Sequence, residues 1–264
     1  MSESNKRIWR ILRDEVESLA GNEPILASFL YATVLNHKTF EEALSFHLAA
    51  KLESATVHSI TLRDVMVQAH TENPDIADAS IADLTAVRER DAACRGYYQP
   101  FLFFKGYHAL QTYRVAHHLW KKKRTALALH LQSRMSETFA IDIHPAAKIG
   151  KGILMDHGTG IVVGETAVVE DNVSIMHEVT LGGTGKHGGD RHPKVRRGSL
   201  ISVGAKILGN IEIGEGAKVG GGAVVLDHVK AHTTVAGIPA RAVGHPKGDQ
   251  PSRDMDQTFA GEGI

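Results

Sequence analysis

The sequence predicts an α+β fold in which an all-helical N-terminal domain, residues 1–140, precedes a parallel β-helix, residues 141–245. Three observations carry this prediction. Fourteen of the 15 aromatic residues lie at or before Phe139, whereas only three of the 26 glycines precede Gly150. Aliphatic residues recur every six positions after residue 140, and one glycine-rich charged segment interrupts that repeat. The two parts of the chain must therefore pack in different ways.

The N-terminal domain shows the spacing of amphipathic helices. The first helical stripe consists of Ile8, Ile11, Leu12, Val16 and Leu19. Pro24 suits the first turn of a second helix, because proline has no backbone N–H to leave unpaired there. Two later helices are predicted over Phe104–Trp120 and Arg124–Arg134.

Residues that can cap a helix predict further helix starts. Thr39 and Glu42 have the spacing of a capping box, in which each side chain accepts a hydrogen bond from the other residue's backbone N–H. Acidic residues are also favourable near a helix N-terminus. On this basis we predict two more starts, at Thr61 with Asp64 and at Ser80 with Asp83.

The C-terminal domain contains a short internal repeat. Its first column of aliphatic residues consists of Ile143, Ile149, Met155, Ile161, Ala167, Val173 and Val179, and resumes with Ile201, Ile207, Ile213, Val219 and Val225. A second column consists of Ala205, Ile211, Ala217, Ala223, Val229 and Val235. A period of six fits a chain that turns a corner every six residues and completes a triangular coil in about 18 residues. Equivalent aliphatic side chains would then stack from coil to coil inside the prism.

The repeat breaks between Val179 and Ile201, whose separation is not a multiple of six. The segment between them, about residues 182–198, is rich in glycine and charge and lacks the aliphatic repeat. We predict a loop extruded from one coil. Loops that project from a rigid scaffold commonly carry function.

Composition excludes several classes of protein. Thirty basic and 30 acidic residues give a net charge of zero, which argues against nucleic-acid binding. No run approaches about 18 apolar residues, so we expect no membrane span. The single cysteine, Cys94, cannot form an internal disulfide and fits a reducing compartment. We expect a cytoplasmic protein.

Several strings in the chain resemble the serine O-acetyltransferases, a family of hexapeptide-repeat acyltransferases. They are DIHPAAKIG at 142–150, MDHGTGIVVGE at 155–165, VTLGGTGK at 179–186, GGDRHPK at 188–194 and AKILGNIEIG at 205–214. The resemblance covers nearly the whole chain and implies that the β-helix is left-handed. It also implies transfer of acetyl from acetyl-coenzyme A to the hydroxyl of L-serine, which gives O-acetyl-L-serine and coenzyme A in cysteine biosynthesis.

His157 is the best candidate for a general base. An alcohol is a weak nucleophile at neutral pH, and histidine titrates near neutrality, so it can accept and return the hydroxyl proton. A carboxylate usually orients such a base. Asp142 precedes His157 by slightly less than one predicted coil, and the resemblance makes it the partner of His157.

The resemblance also assigns residues to the substrate serine. Arg191 and His192, in the predicted loop, would hold its carboxylate, and arginine offers a planar fork that suits a carboxylate. Asp156 and Asp91 would receive its ammonium group. Gly183 belongs to the same predicted site. Since Asp91 comes from the helical domain, its assignment implies that this domain packs beside the β-helix near the site.

Acetyl-coenzyme A would lie along the coils that follow the loop. There the resemblance implicates Val203, Gly204, Lys218 and Gly221, and glycine permits close approach of a ligand to the backbone. Lys218 and Arg241 are cations that can meet phosphates. Acetyl-coenzyme A is expected as a co-substrate, and no tightly bound cofactor is expected.

We predict no metal site. Four histidines of the β-helix could suggest one, namely His144, His177, His228 and His232, but no acidic or cysteine cluster accompanies them. The GTGK string at 183–186 is also not a phosphate-binding loop. Such a loop needs a glycine at position 180 and Ser or Thr at position 187, which are Thr and His here.

The resemblance implies three kinds of partner. The family forms homo-hexamers, as dimers of trimers, with each site between neighbouring β-helices. L-cysteine would inhibit by occupying the serine site. The tail, residues 246–264, is predicted to be mobile and to dock into O-acetylserine sulfhydrylase through Ile264.

Two other functions stay open on the residues alone. One is a related hexapeptide acyltransferase that acts on a sugar or another amino or alcohol acceptor. The other is a non-catalytic, trimeric β-helix that serves as a scaffold. The GGDRHPK string and the long helical domain count against the first.

Overall fold

A computed structural model describes residues 3–185 and 188–258 of the chain. The N-terminal part is helical. Its elements are α1 (Glu3–Asn22), a 3-10 turn (Pro24–Leu26), α2 (Ala27–Leu30), a π-helical turn (Tyr31–Leu35), α3 (Phe40–Leu52), α4 (Ser59–Glu72), α5 (Asp75–Arg90), α6 (Tyr98–Phe103), α7 (Lys105–Lys121) and α8 (Thr125–Phe139). None of the helices in these described ranges has both the length and the apolar character needed to cross a membrane.

One predicted helix start is confirmed and two are wrong. Thr39 and Glu42 form the capping box at the start of α3, with Thr39 Oγ1 accepting from the Glu42 N–H at 3.2 Å. Helix α4 begins at Ser59, before the predicted start at Thr61. Ser80 lies inside α5, where its hydroxyl donates to the Ile76 carbonyl. The polar pattern at 80–83 therefore marks a buried face of a helix and not its beginning.

Fifteen short strands follow within the described residues. They are β1 (Asp142–Ile143), β2 (Lys148–Ile149), β3 (Leu154–Met155), β4 (Val162–Val163), β5 (Val168–Val169), β6 (Ser174–Ile175), β7 (Thr180–Gly182), β8 (Lys194–Val195), β9 (Leu200–Ile201), β10 (Lys206–Leu208), β11 (Glu212–Ile213), β12 (Lys218–Val219), β13 (Val224–Val225), β14 (Thr234–Ala236) and β15 (Arg241–Gly244). They form sheet A (β1-β4-β7-β10-β13), sheet B (β2-β5-β8-β11) and sheet C (β3-β6-β9-β12-β14-β15). Only the last pair, β14 with β15, is antiparallel.

The three sheets are the faces of a triangular β-helix, as the six-residue period predicts. All residues of both predicted columns are buried, except Ile149, which is partly buried against the core. The regular coil has the predicted length, because Val162 pairs with Thr180 and Lys206 with Val224. Aliphatic residues of successive coils thus form one continuous core, which a stacked repeat needs for stability.

Two insertions enlarge the regular coil. Asp142 pairs with Val162, so the first coil is slightly longer than the regular one, and the extra length lies in the corner 156–161. Thr180 pairs with Lys206, so a later coil is longer still. Its extra length lies in the connection 183–193, which is shorter than the predicted loop of about 182–198 because β8 begins at Lys194.

The two insertions lie on different edges of the prism, and both edges flank sheet A. The corners between sheets C and A form what we term the His157 edge, made of residues 156–161, 176–179, 202–205 and 220–223. The corners between sheets A and B form the Arg191 edge, made of residues 144–147, 164–167, 183–185, 188–193 and 209–211.

A buried ion pair joins the helical domain to the β-helix. Asp83 of α5 is fully buried, and its Oδ2 accepts from Nε and Nη2 of Arg114 at 2.8 and 2.6 Å. Its Oδ1 accepts from the backbone N–H of Ile153 at 3.0 Å. Arg114 also donates to the carbonyl of Gly150 at 2.7 Å. The corner 150–153 is thereby fixed to two helices at once.

The tail differs from its prediction. Residues 246–258 pack back onto sheet C and include a short helix, α9 (Pro251–Asp254). Ser252 is fully buried, and its carbonyl accepts from Ser174 Oγ of β6 at 2.7 Å. Polar, proline-bearing composition predicted mobility, but these polar groups find partners on the outer face of the β-helix. Residues 259–264, which include Ile264, lie outside the described residues.

Candidate functional site

A cavity of about 500 Å³ opens where the enlarged corner of the β-helix meets the helical domain. Asp156 and His157 line it from the corner, and Asp91 lines it from the end of α5. Phe103, Phe104 and Gly106 contribute to the same wall. The structure therefore brings together three residues that the sequence analysis assigned to one site, although Asp91 is far from the other two in the chain.

His157 projects from this corner into solvent. Its side chain is 73% exposed, and its Nε2 lies 3.9 Å from Oδ2 of Asp156. The ring makes an edge-to-face contact with the ring of His177, with 5.5 Å between centroids. His157 adopts a φ of +54° and Gly158 follows at +77°, so the chain turns sharply and presents the imidazole outward.

Close packing of helix α7 against strand β3 fixes the position of this corner. A Cβ added to Gly106, in the first turn of α7, would overlap the backbone carbonyl oxygen of Met155. Only glycine at position 106 allows α7 to approach β3 this closely. The helix thus lies directly against the strand that leads into Asp156 and His157.

The electrostatics of the cavity centre on Asp156. Burial raises the pKa of its carboxyl, the neighbouring His157 opposes that shift, and the Asp91 carboxylate raises the pKa further. Asp91 ends α5 and its Oδ1 accepts from the backbone N–H of Ala93 at 2.8 Å. Two carboxylates facing one cavity repel each other, and a bound cation relieves that repulsion. The site is suited to an ammonium group.

Asp142 lies at the start of β1 but is engaged elsewhere. Its Oδ1 accepts from Nε2 of Gln132, in α8, at 2.7 Å. Among the described residues, no hydrogen bond or ion pair connects Asp142 with His157. The predicted pairing of these two residues stays a prediction.

The Arg191 edge holds a second group of candidate residues. Arg191 forms an ion pair with Glu165 at 2.6 Å, and its backbone N–H donates to Thr166 Oγ1 at 2.9 Å. His192 is buried, and its Nδ1 lies 2.9 Å from the same Thr166 hydroxyl. Gly183 lies beside both loop residues, since a Cβ there would be 3.6 Å from Nε2 of His192. The loop end is therefore anchored to the corner 164–167.

The protonation of His192 follows from these contacts. The backbone N–H of Thr166 donates to Nδ1 at 3.2 Å, so Nδ1 is an acceptor and the neutral ring carries its hydrogen on Nε2. Burial lowers the pKa of His192, and the Arg191 guanidinium lowers it further. His192 is therefore poised as a neutral hydrogen-bond donor beside a cation. This combination suits a carboxylate.

The two groups of site residues do not meet within one chain. In the ranges 3–185 and 188–258, no hydrogen bond or ion pair connects Asp91, Asp156 or His157 with Arg191 or His192. They belong to the two different edges that flank sheet A. A single chain thus presents two halves of the predicted serine site on two different edges of the prism.

The candidates for coenzyme binding lie in different parts of the β-helix. Val203, Gly204 and Gly221 lie in corners of the His157 edge, on the coils below His157. Lys218 lies on sheet C, where its side chain is buried and its ammonium group donates to the carbonyls of Asp256 and Thr258.

The tail therefore covers Lys218 in this structure, and its contact with a phosphate stays a prediction. Arg241 is exposed near the far end of the β-helix, with Nη1 4.0 Å from Oδ2 of Asp227.

Sequence reasoning missed residues that act through shape. Phe103, Phe104 and Gly106 line the cavity, and Thr166 anchors Arg191 and His192. These residues lie in a helix junction and in an ordinary corner of the repeat, so no chemical pattern marks them. His177, whose ring contacts that of His157, could have been found from the sequence, because it is a histidine in the equivalent corner of the coil that follows His157.

The fold and these two half-sites define a class of protein, the hexapeptide-repeat acyltransferases. Residues 8–112 match the family model described as serine acetyltransferase, N-terminal. The chain is 56% identical to the serine acetyltransferase of Escherichia coli K12 over 254 residues, which cover 96% of this chain and 93% of that protein. The chain therefore belongs to the serine acetyltransferase family and is an acyltransferase that acetylates serine.

Solved structures agree with this assignment. A serine acetyltransferase from Vibrio cholerae superposes with a TM-score of 0.96 at 54% identity, covering 97% of this chain and 99% of that one. A serine acetyltransferase in complex with cysteine gives a TM-score of 0.95 at 52% identity, with the same coverages. The two alternatives left open by the sequence, another acceptor and a non-catalytic scaffold, are wrong.

Two further structures contain ligands of the reaction. The soybean serine acetyltransferase in complex with serine has a TM-score of 0.90 at 55% identity and covers 92% of this chain and 100% of that one. The enzyme of Brucella abortus in complex with coenzyme A has a TM-score of 0.89 at 50% identity and covers 90% of this chain and 96% of that one.

Proposed function

We propose that this chain transfers acetyl from acetyl-coenzyme A to the hydroxyl of L-serine with His157 as the general base. The observation that carries the proposal is the cavity that joins exposed His157 to the carboxylates of Asp156 and Asp91. The serine Oγ attacks the thioester carbonyl while His157 removes its proton. The tetrahedral intermediate then collapses, the C–S bond breaks, and the proton passes from His157 to the leaving thiolate.

Asp156 and Asp91 bind the serine ammonium group in this proposal. Their mutual repulsion and the burial of Asp156 both favour a cation between them. The ammonium group fixes one end of serine, so its hydroxyl can be held within reach of His157. Asp142, when it turns from Gln132, orients the imidazole.

Arg191 and His192 of a neighbouring chain complete the site by binding the serine carboxylate. The support is geometric, because the two half-sites lie on the two edges that flank sheet A. In a cyclic trimer each interface joins one surface of a chain to a different surface of the next chain. If sheet A faces the three-fold axis, the His157 edge of one chain meets the Arg191 edge of its neighbour.

The acetyl donor follows the His157 edge in the same interface. Val203, Gly204 and Gly221 lie on successive coils of that edge, and the coenzyme would run along them toward His157. The complex of the Brucella abortus relative with coenzyme A supports a coenzyme of this kind. No role for a tightly bound cofactor is included in the proposal.

Mixing two inactive variants tests whether the site is shared between chains. We expect His157→Ala and Arg191→Ala to be nearly inactive alone and to recover activity when they are unfolded and reassembled together. Random assembly in a cyclic trimer places both intact residues in about one quarter of the sites. The measurement is thiol release from acetyl-coenzyme A with serine. Failure to recover activity in verified mixed trimers would show that one chain supplies both residues.

A second experiment tests the proposed binding site for the serine carboxylate by adding a methyl group at Gly164. A Cβ at Gly164 would overlap Cδ2 and Nε2 of His192, so Gly164→Ala must displace that ring. We expect serine kcat/KM to fall at least about tenfold, in line with the loss of one or two good hydrogen bonds. Coenzyme A affinity should change little.

The matched control is Gly21→Ala, because a Cβ added at Gly21 meets nothing within 4 Å. Its kinetic constants should equal those of the parent. Unchanged serine kcat/KM in Gly164→Ala would remove His192 from the serine site.

Three partner proposals rest on the family. L-cysteine inhibits at the serine site, because it carries the same ammonium and carboxylate groups, and the cysteine complex of a relative supports this. The active assembly is a hexamer, a dimer of trimers. Ile264 docks into O-acetylserine sulfhydrylase, a proposal that rests on the resemblance of the tail to that of the family.

A further inference from the structure

His177 occupies the position directly below His157 on the same edge. Met155 pairs with Ile175, Ile175 with Ile201, and Ile201 with Val219. Two residues beyond each partner lie, in order, His157, His177, Val203 and Gly221. His177 therefore stands between the base and the predicted coenzyme residues in one column of corners.

The surroundings of His177 favour one tautomer. Its Nδ1 is buried and has no hydrogen-bond partner, whereas its Nε2 is not buried. A buried N–H without an acceptor is less tolerated than a buried lone pair. The neutral ring therefore carries its hydrogen on Nε2, the nitrogen that is not buried. Its edge-to-face contact with His157 holds the ring in place.

Acyl transfer also needs a hydrogen-bond donor for the negative charge that develops on the thioester carbonyl oxygen, and no residue named so far fills that role. Preorganised donors at such a position contribute strongly to acyl transfer. The acetyl group must lie at the end of the coenzyme path, beside His157. The only donor side chain in this column between His157 and the coenzyme residues, within the part of the chain described, is His177.

We propose that Nε2–H of His177 donates a hydrogen bond to the carbonyl oxygen of the acetyl thioester and to the oxyanion that forms from it. This inference rests on the proposed role of His157. When the serine oxygen attacks, the carbonyl π electrons move onto the oxygen, and His177 stabilises that charge without losing its proton. When the C–S bond breaks, the carbonyl re-forms and the hydrogen bond weakens. His157 alone transfers the proton to the thiolate.

The test compares His177→Ala with His177→Gln. We expect His177→Ala to lower kcat about 10²-fold, as the loss of one oxyanion donor does. KM for serine and Kd for coenzyme A should change less than about threefold, because the bond strengthens only in the transition state. The pH profile of kcat should keep its shape, since His177 exchanges no proton. His177→Gln keeps an N–H donor and should recover part of the loss.

His58→Ala serves as the control, because His58 is exposed and its side chain makes no cap hydrogen bond at α4. Circular dichroism and light scattering would establish that each variant is folded and assembled. Parental kcat in folded His177→Ala would overturn the proposal, and so would a loss of kcat matched by an equal loss of coenzyme A affinity. If His177→Ala fails to fold, a fully inactive but folded His177→Gln would overturn it.

A parallel His157→Asn variant separates the two ideas. If it is nearly inactive while His177→Ala is normal, only the oxyanion role fails. If His157→Asn keeps parental turnover, the base assignment on which this inference rests fails as well.

Discussion

Replacing His157 is expected to lower kcat at least about 10²-fold, because His157 is the only histidine among the described residues that line the cavity. Coenzyme A should still bind, since its predicted contacts lie on the coils below. The measurement is steady-state thiol release together with coenzyme A titration by calorimetry.

The choice of substitution matters at this position. His157 has a φ of +54°, a region that asparagine enters more readily than alanine. His157→Asn therefore removes the base with less backbone strain, and it should agree with His157→Ala if the loss is chemical. Asp142→Asn should reduce turnover less than either, because it only orients the ring. Near-parental turnover in both His157 variants would remove His157 from the mechanism.

The second large effect is on stability. Asp83→Ala is expected to lower the free energy of unfolding by about 3–5 kcal/mol, because it leaves the Arg114 guanidinium buried without its carboxylate. The same change frees the N–H of Ile153 and loosens the corner that leads to Asp156. Denaturant unfolding at fixed chain concentration gives the free energy, and serine KM reports on the site.

Glu89→Ala is the matched control, since Glu89 lies on the same helix and is not among its buried residues. Its effect on stability should stay within about 0.5 kcal/mol. A similar small loss in Asp83→Ala would show that the domains are held together without this ion pair. A large loss of stability with unchanged serine KM would show that the pair supports the fold but does not position the site.

The sequence determined the β-helix almost completely. A six-residue period fits a triangular coil with a continuous aliphatic core, and the columns from Ile143 to Val235 are buried as that coil requires, apart from the partly buried Ile149. It also predicted the loop, because an interrupted period must leave the coil. The helical domain was predicted less well, since side chains that can cap a helix, such as Thr61 and Ser80, also occur inside helices.

Candidate site residues were predictable from the sequence, His157 from its chemistry and Arg191 from the family resemblance of its loop. Their arrangement was not, because it depends on contacts between distant parts of the chain. The cavity exists because α5 and the start of α7 pack against one enlarged corner, where Gly106 lets the backbones touch. Nothing local to Asp91 or Asp83 distinguishes a site residue from a buried anchor.

What the sequence by itself determined was the period of the repeat and the interruption that forms the loop, since each of these is set by residues close together in the chain. Only the tertiary structure decided that Asp91 joins Asp156 and His157, that Arg191 and His192 face a different edge, and that the tail covers Lys218. Those outcomes depend on which surfaces can be buried together. Burial is a property of the packed molecule, so no local pattern encodes it.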